Sequence, residues 1–275
     1  MKRFIIILCI YCFSGSDAMS QQSVEIYTYD VLPPFAFRDE SGALTGVYIE
    51  TVREVVSRMK DYDVTFKVVP WSRAKKETER GKAFAILPPY FHAHDWLTET
   101  EPKRPYIWPY SLALATQYDV VICNEKVARE TRTNYPDDYL GLRFVMFRGD
   151  GRAGARFDEM VKNKRIKLQL IKNVEDSIKF LLLGRADCTI TSRLPFAWYI
   201  KQLKKSGDYA KLNDKNTRFK EMHIISSNEG YLGYTDIDDE KNFPFKKDFA
   251  IKFDSEFYKM RKQGDVQTII NRFIE

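Results

Sequence analysis

Hydrophobic positions in the first hundred residues switch between the spacing of strands and that of helices. Residues 24–28 are typical of a β-strand, and after Gly46 apolar residues recur every three or four positions, which predicts a helix. A second strand is predicted over 64–69, then a helix capped by Ser72, and then a third strand over 83–87. Strands and helices that alternate in this way indicate a parallel α/β sheet.

The same order of elements returns in the middle of the chain. A strand is predicted over 141–149, a helical stripe over 174–182 and an alternating strand over 186–191. The segments 79–86 (ERGKAFAI) and 182–190 (LLGRADCTI) share the order helix end, glycine, basic residue, alanine and strand. We therefore expect two α/β lobes of similar construction.

The C-terminal region is predicted to form two amphipathic helices. Phe253, Phe257 and Met260 share one helical face, and Gly264 interrupts the pattern. The next apolar face comprises Val266, Ile269, Ile270 and Phe273. The preceding stretch 234–248 is polar, and we interpret it as a surface loop.

Composition and charge narrow the class of protein. The 275 residues are 44% hydrophobic and 30% charged, which is ordinary for a globular protein. The formal net charge is +6, but basic and acidic residues are interspersed without a block of like charge. This pattern argues against nucleic-acid binding.

The N-terminus has the pattern of a secretory signal peptide. Lys2 and Arg3 precede an apolar run over 4–13, and small residues follow it. A membrane-spanning helix needs roughly 20 apolar residues, so this run is too short. We predict a signal peptide over 1–18, a mature N-terminus at or near Met19, and a periplasmic protein. The alternative is an uncleaved, membrane-associated N-terminus.

Two cysteines remain after removal of that peptide, Cys123 and Cys188. Export would allow them to form a disulfide. Both lie in apolar runs that resemble strands, a setting that favours two buried free thiols. These two cysteines are not spaced as C-x-x-C, which argues against a redox or zinc-ribbon motif after the predicted signal peptide.

The histidines do not indicate a metal site. His92 and His94 are close in sequence, but the remaining histidine, His223, is distant from them. A zinc site normally needs three or four protein ligands. We therefore expect a polar loop around His92, with no metal and no cofactor.

The first strand ends in an unusual way, in the segment TYDVLPPFAF (28–37). Two adjacent prolines cannot donate backbone hydrogen bonds to a sheet, so the strand must stop there. Tyr29, Phe35 and Phe37 surround this break. Aromatic side chains are thus concentrated where the chain leaves the sheet.

Six segments of the chain are informative when they are considered together and in order. They are YDVLPPFAFRDESGALTGVYIE (29–50), PWSRAKKETERGKAFAI (70–86), RPYIWPYS (104–111), GLRFVMFRGDG (141–151), LLGRADCTI (182–190) and AIKFDSEFYKMRKQGDVQTIINRF (250–273). Together they resemble the periplasmic solute-binding proteins of the amino-acid type, family 3 of the ABC-transporter binding proteins, which have the periplasmic binding protein type II fold.

The resemblance implies two α/β lobes joined by two crossover strands, with a ligand cleft between them. Lobe 1 would comprise residues 24–115 and 229–275, and lobe 2 residues 116–228. Ligands of open α/β sheets bind beyond the carboxyl ends of the strands. Tyr29 or Phe35 would then form an apolar wall of the cleft; the alternative is that Phe35 and Phe37 belong to the core.

Arg104 is the residue that the resemblance assigns to the ligand carboxylate. Family members carry an arginine seven residues before a serine, and here Arg104 precedes Ser111 by seven. The planar guanidinium can donate two parallel hydrogen bonds to a carboxylate. The alternative is a surface arginine in a loop.

Trp71 stands where relatives place a residue that lines the pocket, although it could also pack in the core.

On the opposite side of the cleft, the resemblance implies an anion site at Asp150, Gly151 and Arg152, where a strand, a glycine turn and a helix N-terminus follow one another. Asp150 could instead cap the helix.

Ser192 occupies the position where amino-acid binders have a carboxylate for the ligand ammonium group. A neutral serine there argues against an ordinary α-amino acid as ligand.

The function that these features imply is capture of a small carboxylate-bearing solute, amino-acid-like or a related organic acid, for ABC-type transport or sensing. The ligand would be anionic or zwitterionic, and the partner an inner-membrane ABC permease or a membrane sensor. We expect a monomer without catalytic activity. The alternative is an enzyme on the same fold that resembles cyclohexadienyl dehydratase. The candidate acids for it are Glu50, Asp95, Glu101 and Asp150.

Overall fold

The computed structural model describes residues 21–91, 96–213 and 216–275. The predicted signal peptide and the segment 92–95, with its two histidines and Asp95, lie outside the described residues. The first part of the chain contains, in order, β1 (Gln22–Thr28), β2 (Val31–Leu32), β3 (Ala36–Arg38), β4 (Leu44–Thr45), α1 (Val47–Ser57), β5 (Tyr62–Val68), α2 (Trp71–Glu79), β6 (Ala85–Leu87) and β7 (Ile107–Tyr110).

The second part begins with a long strand. It contains β8 (Ala115–Asn124), β9 (Arg143–Phe147), α3 (Ala155–Lys162), β10 (Lys167–Ile171), α4 (Val174–Leu182), β11 (Cys188–Ser192), α5 (Arg193–Lys205), α6 (Asp208–Leu212) and β12 (Phe219–Gly230). The C-terminal part contains β13 (Gly233–Thr235), α7 (Asp239–Asn242), α8 (Lys246–Gln263) and α9 (Asp265–Ile274).

Two five-stranded sheets form the centres of two lobes, as the sequence predicts. The first has the strand order β5-β1-β6-β13-β7 and the second the order β10-β9-β11-β8-β12. In the first lobe the apolar faces of α1, α8 and α9 cover the sheet, with Phe249, Phe253 and Phe257 fully buried. In the second, α3 packs on one face, and α4 and α5 pack on the other.

Neither sheet is wholly parallel, so that part of the prediction is wrong. β13 runs antiparallel to both β6 and β7, and β8 runs antiparallel to β11 and β12. The interpretation of 234–248 as a surface loop is also wrong, because Tyr234 and Thr235 are buried in β13, and the segment includes α7 and the start of α8. A strand of three residues is too short to show an alternating pattern.

The start of α2 differs from the prediction as well. The helix begins at Trp71, and Pro70 occupies the capping position without a side-chain hydrogen bond. Proline is compatible with the capping position because the N–H group that it lacks would lie outside the hydrogen-bond pattern of the helix. Ser72 therefore lies inside the first turn and does not cap it.

The segment after β1 folds into a small sheet of its own, β2-β3-β4, which the sequence did not predict. Its two prolines separate β2 from β3, and the chain then enters α1 through Gly46. This glycine has a φ of +125°, and a Cβ added there would lie 2.3 Å from the carbonyl oxygen of Phe35. Gly46 thereby fixes the small sheet against the start of α1.

Replacing Gly46 by alanine should destabilise the protein more than replacing Gly141 by alanine. Both glycines have positive φ, which costs about 1–2 kcal/mol for another residue, but a Cβ at Gly141 meets nothing within 4 Å. In the Gly46→Ala variant, the clash of the added methyl group with the Phe35 backbone should add about 1–3 kcal/mol of overpacking. Urea denaturation of the two variants measures the difference, and equal losses would contradict this account.

The two lobes are connected by the long strands β8 and β12, which pair antiparallel from Ala115 with Gly230 to Asn124 with Phe219. Register shifts interrupt β12 between Glu221 and His223 and again after Ile224. Irregularities of this kind bend a strand and increase its twist. Among the described residues, no helix is long and apolar enough to cross a lipid bilayer.

Cys123 and Cys188 form a disulfide, so the expectation of two free thiols is wrong. The cause is the strand register, because Cys188 on β11 lies directly opposite Cys123 on β8. Both residues are completely buried in the core of the second lobe. Their apolar surroundings suggested thiols, but the antiparallel pairing that brings them together is not visible in the sequence.

Candidate functional site

A cavity of about 390 Å³ lies between the two lobes. The first lobe contributes residues that follow β1, among them Val31, Pro33 and Phe35. The second lobe contributes residues at the carboxyl ends of β9, β10 and β11 and at the start of α4 and α5. A position beyond the carboxyl ends of strands and between two domains is where small ligands usually bind in α/β proteins.

Arg152 is the centre of the polar part of this cavity. Its Nη1 donates to Asp119 Oδ1 over 2.7 Å and also to the Ser192 hydroxyl, and its Nε donates to Asp150 Oδ1 over 2.7 Å. The side chain is 29% exposed. Among the described residues, no group accepts a hydrogen bond from Nη2, so two N–H groups of the guanidinium remain available to a ligand.

Ser192 connects Arg152 to the crossover strand β8. The Ser192 hydroxyl donates to Asp119 Oδ1 over 2.8 Å and accepts from Gln117 Nε2 over 2.8 Å. Gln117 in turn accepts a hydrogen bond from the Tyr90 hydroxyl of the first lobe, over 3.1 Å. We call Arg152, Asp119, Asp150, Ser192 and Gln117 the Arg152 cluster, and it extends to the first lobe through Tyr90.

Sequence reasoning missed Asp119, Gln117 and Tyr90. Asp119 is opposite Ser192 in the register of β8 and β11, and it accepts a further hydrogen bond from Ser226 on β12, over 3.0 Å. The Asp119 carboxylate therefore lies directly beside Ser192, although the serine itself suggested that the cleft has no carboxylate at this place. The signal that could have found it is the polar alternation at the start of β8, where Gln117 and Asp119 stand two apart.

Two aromatic residues of the first lobe, Tyr29 and Trp96, interact with Tyr90. The rings of Tyr29 and Trp71 lie 4.9 Å apart, those of Trp71 and Trp96 lie 6.2 Å apart, and the indole of Trp96 donates to the Tyr90 carbonyl. Burial raises the pKa of Tyr29 and of Tyr90, and the Asp119 charge raises the pKa of Tyr90 further. Both phenols are thus neutral hydrogen-bonding groups at physiological pH, and Tyr90 faces Asp119.

The structure brings together only part of the predicted site. Phe35, Asp150, Arg152 and Ser192 line the cavity, but Phe35 does so from the core, fully buried and stacked on Tyr48 at 5.0 Å. Tyr29 and Trp71 do not line the cavity. Tyr29 lies close to Tyr90, and Trp71 is in ring contact with Tyr29. Trp71 also packs against the core cluster that includes Tyr27 and Ala74.

The turn before α3 differs from the predicted anion site. The helix begins at Ala155, with Gly154 in the capping position, so Gly151 and Arg152 precede it. Asp150 does not cap that helix; instead its Oδ1 accepts from the backbone N–H and from Nε of Arg152. The turn therefore presents a side-chain guanidinium to the cavity and not a row of free backbone N–H groups.

Arg104 lies outside this site, contrary to the expectation that it grips a ligand there. Its guanidinium is half exposed and donates to the Asp236 carbonyl over 3.2 Å, within a separate surface cavity. β7 runs parallel to β6, and its first residue, Ile107, is level with the start of β6. Arg104 precedes β7, so it lies at the end of the sheet that points away from the cleft.

The candidate acids lie in different places. Glu50 is paired with Arg53 on α1 over 2.7 Å, and Glu101 belongs to the surface cavity beside Arg104. Of the candidates that the structure describes, Asp150 alone lines the cavity between the lobes, and there it is paired with Arg152. The described residues hold no group of three or more histidine, cysteine or acidic side chains that could bind a metal ion.

Comparisons with known proteins give the same architecture. Residues 24–275 match the model of the bacterial extracellular solute-binding proteins, family 3. The fold is similar to that of the L-cystine solute receptor of Neisseria gonorrhoeae in its unliganded open conformation, with a TM-score of 0.64, 17% identity, and coverage of 93% of this chain and 94% of that one.

Two relatives are similar in sequence. A probable amino-acid-binding protein of Bacillus subtilis is 25% identical over 247 residues, 87% of this chain and 79% of that protein. A probable amino-acid ABC transporter-binding protein of Haemophilus influenzae is 24% identical over 174 residues, 63% of this chain and 61% of the Haemophilus protein's own length. The chain thus belongs to the bacterial extracellular solute-binding proteins, family 3.

Proposed function

We propose that this protein is exported to the periplasm, where it captures a small carboxylate-bearing solute, amino-acid-like or a related organic acid, and delivers it to an inner-membrane ABC permease. It acts as a monomer and without catalysis. The names of the two relatives support amino-acid-like ligands and ABC transport. The pattern of residues 1–18 supports export.

The observation that carries this proposal is the position of Arg152. Its guanidinium lies in the cavity between the lobes, held by Asp119 and Asp150, with its Nη2 N–H groups uncommitted among the described residues. A fixed guanidinium is well suited to a carboxylate, because it offers parallel charge-assisted hydrogen bonds. The carboxylate of the solute would therefore bind Arg152, and not Arg104 as we expected from the sequence.

The first lobe supplies a complementary surface for the rest of the solute. Tyr29 and Trp71 are in ring contact, and Tyr90 is hydrogen-bonded to Gln117 of the Arg152 cluster, so closure of the lobes would bring these aromatic residues towards a ligand in the cavity. Aromatic rings can cover the hydrocarbon part of a ligand, and a phenolic hydroxyl can bind a polar group at the same time. A ligand held between the two lobes would thus contact charge on one side and aromatic rings on the other.

Binding should draw the lobes together. We propose that residues 24–115 plus 229–275 form one moving body and residues 116–228 the other, with hinges in β8 and β12. Calorimetry and a thermal-shift panel of amino acids, hydroxy acids, keto acids and short peptides would identify the solute. Small-angle scattering should then show a smaller radius of gyration at saturating solute. A panel in which no carboxylate binds would overturn the proposal.

A further inference from the structure

One face of α5 contacts the first lobe, although the helix belongs to the second. The opposite face, which includes Phe196 and Leu203, is buried in the core of the second lobe. Four residues of α5 recur at intervals of three or four positions, so they share one side of the helix. They are Leu194, Trp198, Lys201 and Lys205, and we call them the α5 stripe.

The apolar half of the stripe packs on the first lobe. Leu194 is buried in the core cluster of the first lobe, together with Ala115, where β8 begins. The ring of Trp198 lies 5.5 Å from that of Phe37 on β3, and Phe37 lies 6.0 Å from Phe273 on α9. The stripe therefore starts at the hinge region and continues outward along the first lobe.

The polar half of the stripe extends this contact. The Nζ atom of Lys201 donates to the carbonyl oxygen of Arg272 on α9 over 2.6 Å. The Nζ atom of Lys205 forms an ion pair with Oε1 of Glu40, also at 2.6 Å. Both members of this ion pair are exposed, so it contributes less than the aromatic contact at Trp198.

The stripe also borders a second cavity between the lobes, of about 1010 Å³. Phe37 lines this cavity from the first lobe and Trp198 from the second. Val31 and Pro33 line both this cavity and the ligand cavity, so the segment around β2 separates the two. The aromatic contact is therefore close to the ligand cavity without being part of its lining.

Closure of the ligand cavity must disturb the contact between the stripe and the first lobe. At Lys205 and Glu40 the two lobes already meet at hydrogen-bond distance, so they cannot come closer there. Lys205 lies about 16 Å along α5 from Leu194, and thus farther from the hinge. A rotation about hinges in β8 and β12 moves distant residues most, and it would slide or separate the stripe from β3 and α9.

We propose that the α5 stripe stabilises the arrangement of the lobes in which the ligand cavity is open, and that Trp198 and Phe37 thereby set the affinity for the solute. This inference rests on the closure that the proposed function requires. Loss of a contact that exists only before closure makes closure less costly, so the solute binds more tightly. Trp198 and Phe37 are positioning residues for the lobes and do not line the ligand cavity.

The test begins with the affinity for the solute, measured by calorimetry. Trp198→Ala and Phe37→Ala should each raise this affinity about 3- to 10-fold, as expected for the loss of one aromatic contact. The double variant should gain no more than about the larger single effect, because both substitutions remove the same contact. Lower or unchanged affinity in the single variants, or effects that multiply in the double variant, would overturn the inference.

The lysines of the stripe provide a second comparison. Lys201→Ala combined with Lys205→Ala should raise the affinity about two- to fivefold. Lys204→Ala is the matched control, because Lys204 extends over the Tyr209 ring of its own lobe, at 5.5 Å, and it should leave the affinity unchanged. An equal gain in the control would assign the effect to charge at this end of α5 and overturn the role of the contact.

A measurement without solute separates this inference from the proposed function. Spin labels on the exposed positions Ser57→Cys and Asn163→Cys would report the distance between the two lobes. Trp198→Ala should shift the distances found without solute toward those of the solute-saturated protein, and the saturated distances should agree. If no carboxylate binds, the proposed function fails, but a shift in Trp198→Ala would still support the role of the stripe. Unchanged distances in Trp198→Ala would overturn that role and leave the proposed function intact.

Discussion

Replacing Arg152 by alanine is expected to weaken binding of the solute about 100-fold or more. The guanidinium lies in the cavity between the lobes, and hydrogen bonds to charged groups contribute about 1.5–3 kcal/mol each. Loss of two such bonds corresponds to at least about two orders of magnitude in the dissociation constant, at about 1.4 kcal/mol per tenfold. Calorimetry with the solute that the panel identifies measures this loss.

Arg104→Ala is the matched control, because it removes the same type of side chain from the end of the first sheet that points away from the cleft. Its guanidinium is half exposed and contacts Asp236, so the affinity should remain within about twofold. Arg152→Lys should recover only part of the affinity, since an ammonium cannot offer the same fork. A large loss in Arg104→Ala together with a harmless Arg152→Ala would restore the assignment made from sequence.

Removal of the disulfide is expected to cost about 4 kcal/mol of unfolding free energy. Cys123 and Cys188 are 65 residues apart, and the chain-entropy model gives about this value for a loop of that length. The double variant Cys123→Ala with Cys188→Ala should unfold at a markedly lower urea concentration. Because both residues belong to the core of the second lobe, the loss should appear mainly in the unfolding of that lobe.

The reduced protein supplies the control for this prediction. A reducing agent should bring the denaturation curve of the unmodified protein close to that of the double variant, and it should leave the curve of the variant unchanged. If the double variant unfolds at the same urea concentration as the oxidised protein, the disulfide does not contribute to stability as we expect.

Much of the fold could be predicted because it depends on local patterns. The helical stripe at 174–182 became α4 with the same bounds, and Asn173 caps it by accepting a hydrogen bond from the backbone N–H of Asp176. The break at Gly264 is also real, since this glycine has a left-handed φ of +86° between α8 and α9. Spacing and turn chemistry are properties of neighbouring residues, so a single sequence reveals them.

The site was harder to predict because it depends on contacts between distant strands. Asp119 meets Ser192 only through the antiparallel register of β8 and β11, which also aligns the two cysteines. Arg104 does precede Ser111 by seven residues, as in the family. The position of β7 in the sheet nevertheless directs that arginine away from the cleft. Register and strand order are set by the packing of the whole lobe, so the residue spacing within a motif does not reveal them.

The most direct test of the central claim is a crystal structure of the protein with the solute that binds most tightly. We expect the solute to lie between the lobes, with its carboxylate within hydrogen-bond distance of the Arg152 guanidinium and its remaining part toward Tyr29, Trp71 and Tyr90. A solute bound in the surface cavity beside Arg104, or anywhere outside the cleft, would contradict it.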